Sequence, residues 1–597
     1  MSQKIRNVAI IAHVDHGKTT LVDGLLKQGS VFRENQQEMA QELIMDSNTL
    51  EKERGITILA KLTSVFFGEY KVNIVDTPGH SDFSGEVERT LGMADGCILL
   101  VDAQEGVMPQ TRFVLKKALE LGFIPIVVVN KIDKDFARPE EVIEEINDLF
   151  LDLIVNEDQL NFQVVYAIGR EGKAWKTLPV KEEQGQETTL KVIFDTIIEH
   201  VPPPDSTEDG GLQILVSSLD ADNYLGKLVI GKVQRGVIKK DQSVVIVKES
   251  EKTSARVAKL FVTRGLGREE VEQVSAGDIA IIAGLPEAFI NDTICDTQNI
   301  EPLPRTKISE PTLKITISPN NSPFLGKEGK FVNSRQIKER LEKELETNVA
   351  LRVEFGNDFV VSGRGEMHLG VLIENMRREG FEFEVSKPQV IFKKDENGNV
   401  LEPVEELTVE TPDEFYGKVA QEIGKRFGEL TNMDIKNGST RAQFKIPTRA
   451  ILGLRSILIT LTKGNLIMSS VFKEYAPMGK EIPIDRNGSL IAHEDGVALA
   501  YGLEAAQKRG ATFIEPGSKV YRGMVFGINA KPEDLVINVA KTKHATNIRA
   551  GGTDFGITLT PPKQMTLEDY LNFIKEDELL EVTPKSLRVR KKDLNFK

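Results

Sequence analysis

The chain is 597 residues long with 40% hydrophobic and 28% charged residues, so it holds several domains of roughly 100 to 200 residues and is no small stapled module. No apolar run approaches the roughly 20 residues of a membrane-spanning helix, and the polar start at Met1 to Val8 lacks the features of a signal peptide, which predicts a cytoplasmic protein without membrane contact. Asp and Glu number 90 against 76 Lys and Arg, a net charge of −14, which excludes a surface that coats a polyanion all round and confines nucleic-acid contact to local patches.

Residues 1–204 alternate short β-branched runs with helical stretches, the order of βαβ units and a mostly parallel sheet. Strands are predicted at Val8 to Ile11, Val72 to Val75, Cys97 to Val101, Ile124 to Val129 and Val164 to Tyr166, and the run Pro202 to Pro204 ends the domain because proline cannot continue a helix. Residues 205–304 read as a β-barrel, with strands at Leu228 to Val233, Ser243 to Val247, Ala255 to Phe261 and Asp278 to Ile282 between glycine and Asp/Asn turns. Residues 305–388 follow the strand, helix, strand, strand, helix, strand order of a ferredoxin-like α+β domain, whose first helix repeats Ile337, Leu341 and Leu345 on one face. Residues 389–480 repeat that order, with Phe415, Val419, Ile423 and Phe427 along one helix and a second helix at Ala450 to Thr462.

Residues 481–597 are irregular and glycine-rich, and propensity supplies no fold for them. Their last segment, Glu581 to Lys597, carries six basic residues against two acidic, a net +4 that reads as a solvated tail before it reads as a binding patch. Cys97 and Cys295 sit among apolar residues as small buried thiols.

Three strand ends in the first domain carry chemistry. Ala12-His13-Val14-Asp15-His16-Gly17-Lys18-Thr19 fits the phosphate-loop pattern G-x-x-x-x-G-K-[ST] except at its first position, where Ala12 stands. A helix N-terminus offers free N–H groups and partial positive charge, so Asp15, His16, Gly17, Lys18, Thr19 and Thr20 are expected to cradle phosphate. Within that cradle Lys18 reaches the β- and γ-phosphates and Thr19 ligates Mg²⁺. In Asp76-Thr77-Pro78-Gly79-His80 the carboxylate of Asp76 can hold Mg²⁺ through water, Gly79 offers an N–H to the γ-phosphate, and His80 is placed to position the attacking water. Asn130-Lys131-Ile132-Asp133 selects guanine, because Asp133 accepts from base N1 and N2, Asn130 bonds N7 and the Lys131 stem covers the ring. The set predicts GTP and GDP as ligands and Mg²⁺ as cofactor.

Between the first two motifs, Asp46 to Ile58, with its run Glu51 to Ile58, is charge-rich and bears Gly55. Composition alone makes it a solvated loop, whereas the functional reading makes it a switch in which Thr57 bonds Mg²⁺ and γ-phosphate. In Lys541 to Phe555, cationic Lys541, Lys543, His544 and Arg549 alternate with small and polar residues such as Asn547, a composition that fits a plain surface loop as well as one that enters folded RNA.

AHVDHGKTT, EKERGITI, DTPGH and NKID together resemble the translational GTPases. MDSNTLEKERGITI, NGSTRAQFKIPTRAILGLRS, KTKHATNIRAGGTDFG and DELLEVTPKSLRVRKK extend the resemblance to the BipA/TypA family over essentially the whole chain. The resemblance implies a multidomain α/β chain: a P-loop GTPase domain, a β-barrel, two ferredoxin-like domains similar to the third and fifth of elongation factor G, and a family-specific C-terminal RNA-binding domain. It implies a ribosome-stimulated GTP hydrolase, monomeric off the ribosome, that binds 16S and 23S rRNA, tRNA and ribosomal proteins and assists large-subunit assembly under cold or stress.

The same resemblance implies a catalytic His80 beside an apolar gate of Val14 and Ile56, and relatives share the alanine at Ala12. Where the family usually has Ser-Ala, this chain reads Ala167-Ile168-Gly169-Arg170, so the guanine contact expected from Ala167 and Ile168 rests on backbone N–H groups, with weaker affinity at most. It also turns the loop Lys541 to Phe555 towards the tRNA acceptor arm or the peptidyl-transferase region. Two alternatives remain: a LepA-like translation factor, and an RNA-binding or assembly factor in which GTP only gates docking.

Overall fold

Strand β1 (Lys4–Ala12) is the third of seven strands in a twisted sheet, and its residues from Asn7 onward are all buried. The computed structural model describes residues 4–13, 15–29, 49–54, 57, 60–78, 81–180, 184, 188–222, 224–305, 310–348, 350–436, 438–482, 486–541 and 558–594. After β1 come α1 (Lys18–Gln28), α2 (Thr49–Arg54), β2 (Lys61–Phe67), β3 (Tyr70–Asp76), α3 (Ser84–Leu91), β4 (Gly96–Asp102), α4 (Pro109–Glu120), β5 (Ile126–Asn130), α5 (Pro139–Leu153), β6 (Gln163–Ile168), β7 (Lys173–Trp175) and α6 (Lys191–His200). The sheet order is β2-β3-β1-β4-β5-β6-β7, parallel except for the edge strands β2 and β7.

Side chains alternate across a strand, so Val8 and Ile10 pack with Leu21, Leu25 and Ile193 under α1 and α6, while Ala9 and Ile11 pack with Leu91, Leu115 and Ile146 under α3, α4 and α5. All five predicted strands are present. The pattern missed β2, because its middle is the polar pair Thr63 and Ser64. Both are buried by the following β domain, where the Thr63 hydroxyl donates to Gly265 O at 2.5 Å and the Ser64 hydroxyl to Thr263 O at 2.6 Å.

That β domain is a nine-stranded sheet with antiparallel strand pairing. The single strand expected at Ala255 to Phe261 is two, Lys252–Arg256 and Lys259–Arg264, because the chain leaves its partner Ser243–Val247 and crosses to Ile279–Ala283. Both cysteines are buried, and burial pushes each thiol up.

A second compact unit begins at Glu310. Its strands Arg352–Phe355, Phe359–Gly363, Leu313–Pro319 and Phe383–Ser386 lie side by side in ferredoxin-like order, with helices Ser334–Thr347 and Glu366–Glu379 between them in sequence. Ile337 and Leu341 are buried as the periodicity requires, and Leu345 packs against the same core. Residues 400–477 repeat the topology on their own sheet. Their first helix, Asp413–Lys425, buries Phe415, Val419 and Ile423, but Phe427 lies beyond its end with φ 61° and is 43% exposed. The predicted helix from Ala450 is broken into Thr448–Ile451 and Leu454–Leu461 by Gly453 at φ 71°.

The C-terminal residues carry the largest correction. Strands Glu578–Val582 and Leu587–Lys591 form a hairpin that pairs with Phe383–Ser386 on one side and Met524–Asn529 on the other, making one continuous eleven-stranded sheet. Much of the segment read as a solvated tail is interior, Lys585, Lys592 and Asp593 being exposed: Arg590 is 1% exposed and meets both oxygens of Glu384 at 2.8 Å. Arg588 likewise meets Glu581 at 2.9 and 3.1 Å, and Lys591 meets Asp534 at 2.6 Å.

Candidate functional site

Strand register brings the chemistry to one edge. Ile10 lies opposite Asp76, Asp102 opposite Asn130, and Asn130 opposite Ala167, so the carboxyl ends of β3, β4, β5 and β6 finish together, where open α/β sheets bind ligands. The loop from β1 to α1 reaches over this edge. Asp15 has φ 63° and Gly17 φ 92°, and a Cβ on Gly17 would stand 2.5 Å from the Asn130 side-chain nitrogen, so conformation and space both demand glycine. No acidic residue lies in the first turn of α1, which leaves its N-terminus electropositive around the half-buried Thr19 and Thr20.

Lys18 folds onto the end of β3, its Nζ 2.8 Å from Asp76 Oδ1 and donating to Thr77 O at 2.9 Å. Burial lifts the Asp76 carboxyl above its ordinary value against the pull of Lys18. Thr77 donates its hydroxyl to Ile10 O at 2.9 Å and so fixes the turn that leaves the strand. Part of the charge-rich run before β2 is ordered against the domain: Leu50 and Glu51 of α2 are buried, and Glu51 pairs with Lys61 at 2.7 Å. Composition had made these residues solvated. Thr57 is half-buried.

Asn130 ties two loops together. Its Nδ2 donates to His16 O at 3.0 Å and its Oδ1 accepts from Gly169 N at 2.9 Å. Lys131, at φ 61°, donates to Asp15 O and pairs with Asp102 at 2.8 Å. Asp133 remains at the surface, with Arg170 3.8 Å away. Ala167 and Ile168 are buried on opposite faces of the sheet, so of this turn only backbone can face a base.

One contributor escaped the sequence reading. Asp102 is buried, accepts from Gln104 N at 2.7 Å and holds Lys131; burial opposes its ionisation, but the bonds from Lys131 and Gln104 N and the charges of Lys131 and Lys134 together outweigh it and keep the carboxyl below its ordinary value. Its signal was available, since it ends an apolar strand as Asp76 does. The His16 ring points away from the cradle, with Nδ1 3.3 Å from Leu100 O and Nε2 3.5 Å from Glu105, which makes the side chain a strut beneath the loop. Val14, Ile56, Gly79, His80, Lys543, His544, Asn547 and Arg549 lie outside the described residues, and Lys541 is exposed.

Comparison with known proteins covers nearly the whole chain. Residues 3–203 match the Elongation factor Tu GTP binding domain, 226–295 Elongation factor Tu domain 2, 399–485 the Elongation factor G C-terminus and 487–596 the TypA/BipA C-terminal domain. The chain is 50% identical to the large ribosomal subunit assembly factor BipA of Synechocystis over 99% of its length and 98% of the relative's. It is 48% identical to the protein of that name from Bacillus subtilis, over 99% and 96% of the two chains, and 48% identical to that of Escherichia coli K12, over 100% and 98%. A crystal structure of a Thermus thermophilus protein superposes with a TM-score of 0.56 over 80% of this chain and 97% of that one at 18% identity, a likeness of fold alone. Among the described residues no helix is long and apolar enough to cross a membrane.

Proposed function

The chain belongs to the BipA/TypA family of translational GTPases, and from that membership we propose that its GTP hydrolysis serves assembly of the large ribosomal subunit in the cytoplasm. The observation that carries the reading is the convergence of the phosphate loop, Asp76 and Asn130 to Asp133 on one sheet edge, in a chain whose residues 487–596 match the family's own C-terminal domain. That match sets the LepA-like alternative aside.

GTP would lie with its phosphates over the N-terminus of α1, against the backbone of Asp15 to Thr20 and the N–H of Gly79. Lys18, held by Asp76 and Thr77 in the free chain, would turn to the β- and γ-phosphates. Asp133 would accept from guanine N1 and N2 while Asn130 donates its second amide hydrogen to N7, with the backbone at Ala167 and Ile168 beside the base oxygen. The Thr19 hydroxyl and the buried Asp76 carboxylate are hard oxygen donors that suit Mg²⁺, with Thr57 joining them in the triphosphate state. Once bound, Mg²⁺ would neutralise charge on the β- and γ-phosphate oxygens. His80, gated by Val14 and Ile56, would orient the water, a task that needs the ribosome to place the ring.

The finer reading is that the chain contacts 16S and 23S rRNA, tRNA and ribosomal proteins, acts under cold or stress, and uses Lys541, Lys543, His544, Asn547 and Arg549 to reach RNA near the peptidyl-transferase region. GTP turnover measured with and without purified ribosomes and subunits tests the function. Stimulation by large-subunit-containing particles is expected, and an unchanged rate removes the reading. Assembly that runs to completion with a non-hydrolysable analogue would favour a docking factor in which GTP is only a gate.

A further inference from the structure

Within the second unit, a cleft of about 530 Å³ opens between the turn that includes Phe324, Lys327 and Glu328, the C-terminal hairpin at Lys585 to Arg588, and the stretch from Ile514 to Met524. Its size suits one small ligand or one nucleotide and not a duplex. Its charge runs against that of the molecule. In a chain of net −14, Lys327, Lys519 and Lys585 stand exposed around it, and none of the three has a carboxylate partner among the described residues. Glu328, the acid in the lining, is taken up by Arg588 at 3.0 Å and by the Thr583 and Ser586 hydroxyls. Arg588 is in turn held by Glu581, so this pair braces the wall and the three lysines supply the available charge.

Apart from Ser518 and Ser586, the rest of the lining is apolar. Phe324 stands with its ring edge-on to buried Tyr521 at 4.9 Å and carries the Lys327 ammonium 4.2 Å and the Arg588 guanidinium 5.2 Å from its centre, so Ile514 and Leu587, with buried Met524, are the apolar surface left for a base. Cations at the mouth and an apolar lining give such a cleft one surface for phosphate and one for a base, the pairing that single-stranded nucleic-acid sites use.

We propose that this cleft is a second ligand site, separate from the guanine nucleotide site, which takes one unpaired nucleotide of an RNA chain with its phosphates on Lys327, Lys519 and Lys585. The choice of RNA among phosphate-bearing ligands rests on the ribosomal reading above. The cleft is preformed by buried Arg588 and Glu581 with half-buried Glu328, so it needs neither GTP nor the loop at Lys541 to bind.

The test is fluorescence anisotropy of a labelled twelve-nucleotide single-stranded RNA with the GDP-loaded full chain across a salt series. Lys327→Ala, Lys519→Ala and Lys585→Ala together should weaken binding at least about tenfold and reduce the salt slope by about 2, since each phosphate on a single strand contributes roughly 0.7. Removing the exposed Lys116, Lys176 and Lys239 instead takes away the same net charge and should leave binding within about twofold. Ile514→Ser should weaken binding a few-fold at unchanged slope, which separates base contact from phosphate contact. Equal loss in the two triple variants, or none in the first, overturns the site. Competition by cytidine monophosphate as strong as by the oligonucleotide overturns RNA as the source and leaves a free nucleotide. Because the assay contains no ribosome, GTP turnover that subunits fail to stimulate would remove the ribosomal reading separately, while a cleft variant with unaltered RNA binding removes the cleft alone.

Discussion

Lys71 and Asp278, 207 residues apart in the chain, form a buried ion pair with Nζ 2.9 and 2.8 Å from the two carboxylate oxygens. Asn73 donates to the same carboxylate at 2.9 Å and to Asn7 at 2.8 Å, and Asn7 donates to Asp95 at 2.7 Å. The pair joins β3 to the β domain, and β3 is the strand that ends at Asp76. The position of Asp76 is therefore set from two domains. A buried pair is costly to break, because removing one partner strands the other without solvent.

Lys71→Met should accordingly destabilise the first unit by about 3–5 kcal/mol, whereas Lys71→Met with Asp278→Leu should recover most of the loss. The lone tryptophan, Trp175 on β7, reports unfolding of the nucleotide domain in urea. A single variant no less stable than the double one would show that the charges do not act as a pair.

Asn130→Ala removes both the bond to His16 O and the acceptor for Gly169 N. Two lost hydrogen bonds of about 1 kcal/mol each, with a buried donor left unsatisfied, predict GDP binding weaker by about ten- to a hundredfold and no change in base preference. Asp133→Asn should do the reverse, moving preference from guanine to xanthine, because the amide presents a donor to a carbonyl. Competition with guanosine and xanthosine diphosphates distinguishes the two effects, and a shift of base preference in Asn130→Ala would contradict its role as a tie.

His80→Ala should leave GTP affinity nearly intact and lower ribosome-stimulated hydrolysis by about 10²- to 10⁴-fold, the usual worth of a positioned catalytic group. Stimulated turnover within a few-fold of the unaltered chain would remove His80 from the mechanism.

Asp534 accepts from Lys575 at 2.8 Å, Lys591 at 2.6 Å and Ser489 N at 2.7 Å. Burial opposes ionisation there, but these bonds prevail and hold the carboxyl at about 2, against an ordinary 3.8. A depressed folded value stabilises above the unfolded one and is lost as pH falls through the folded value. Asp534→Asn should therefore cost about 2 kcal/mol at pH 7, with the gap to the unaltered chain closing between about pH 4 and 2. Hydrogen exchange of the strand Leu587–Lys591, compared at matched pH, measures it, and a gap independent of pH would assign the effect to packing.

What the sequence determined by itself was the nucleotide chemistry and the order of the layers. A phosphate loop, a carboxylate at a strand end and a guanine-reading turn are local patterns whose function lies in a few adjacent residues, and the unbroken apolar runs along β1 and β4 show which strands are covered on both faces. Apolar periodicity likewise placed Ile337 and Leu341 inside. Charged residues carry no such signal, for a lysine or arginine in a one-dimensional pattern reads as solvated until its partner is known. Arg590 and Glu384 are 206 positions apart, and only the sheet that brings strand Leu587–Lys591 beside Met524–Asn529 and its own hairpin partner makes the interior able to hold them. The tertiary structure decided that Arg588, Arg590 and Lys591 of the basic C-terminal segment are core, that polar β2 is buried, and that Asn130 bridges two loops, because each depends on satisfying a desolvated group with a partner distant in the chain.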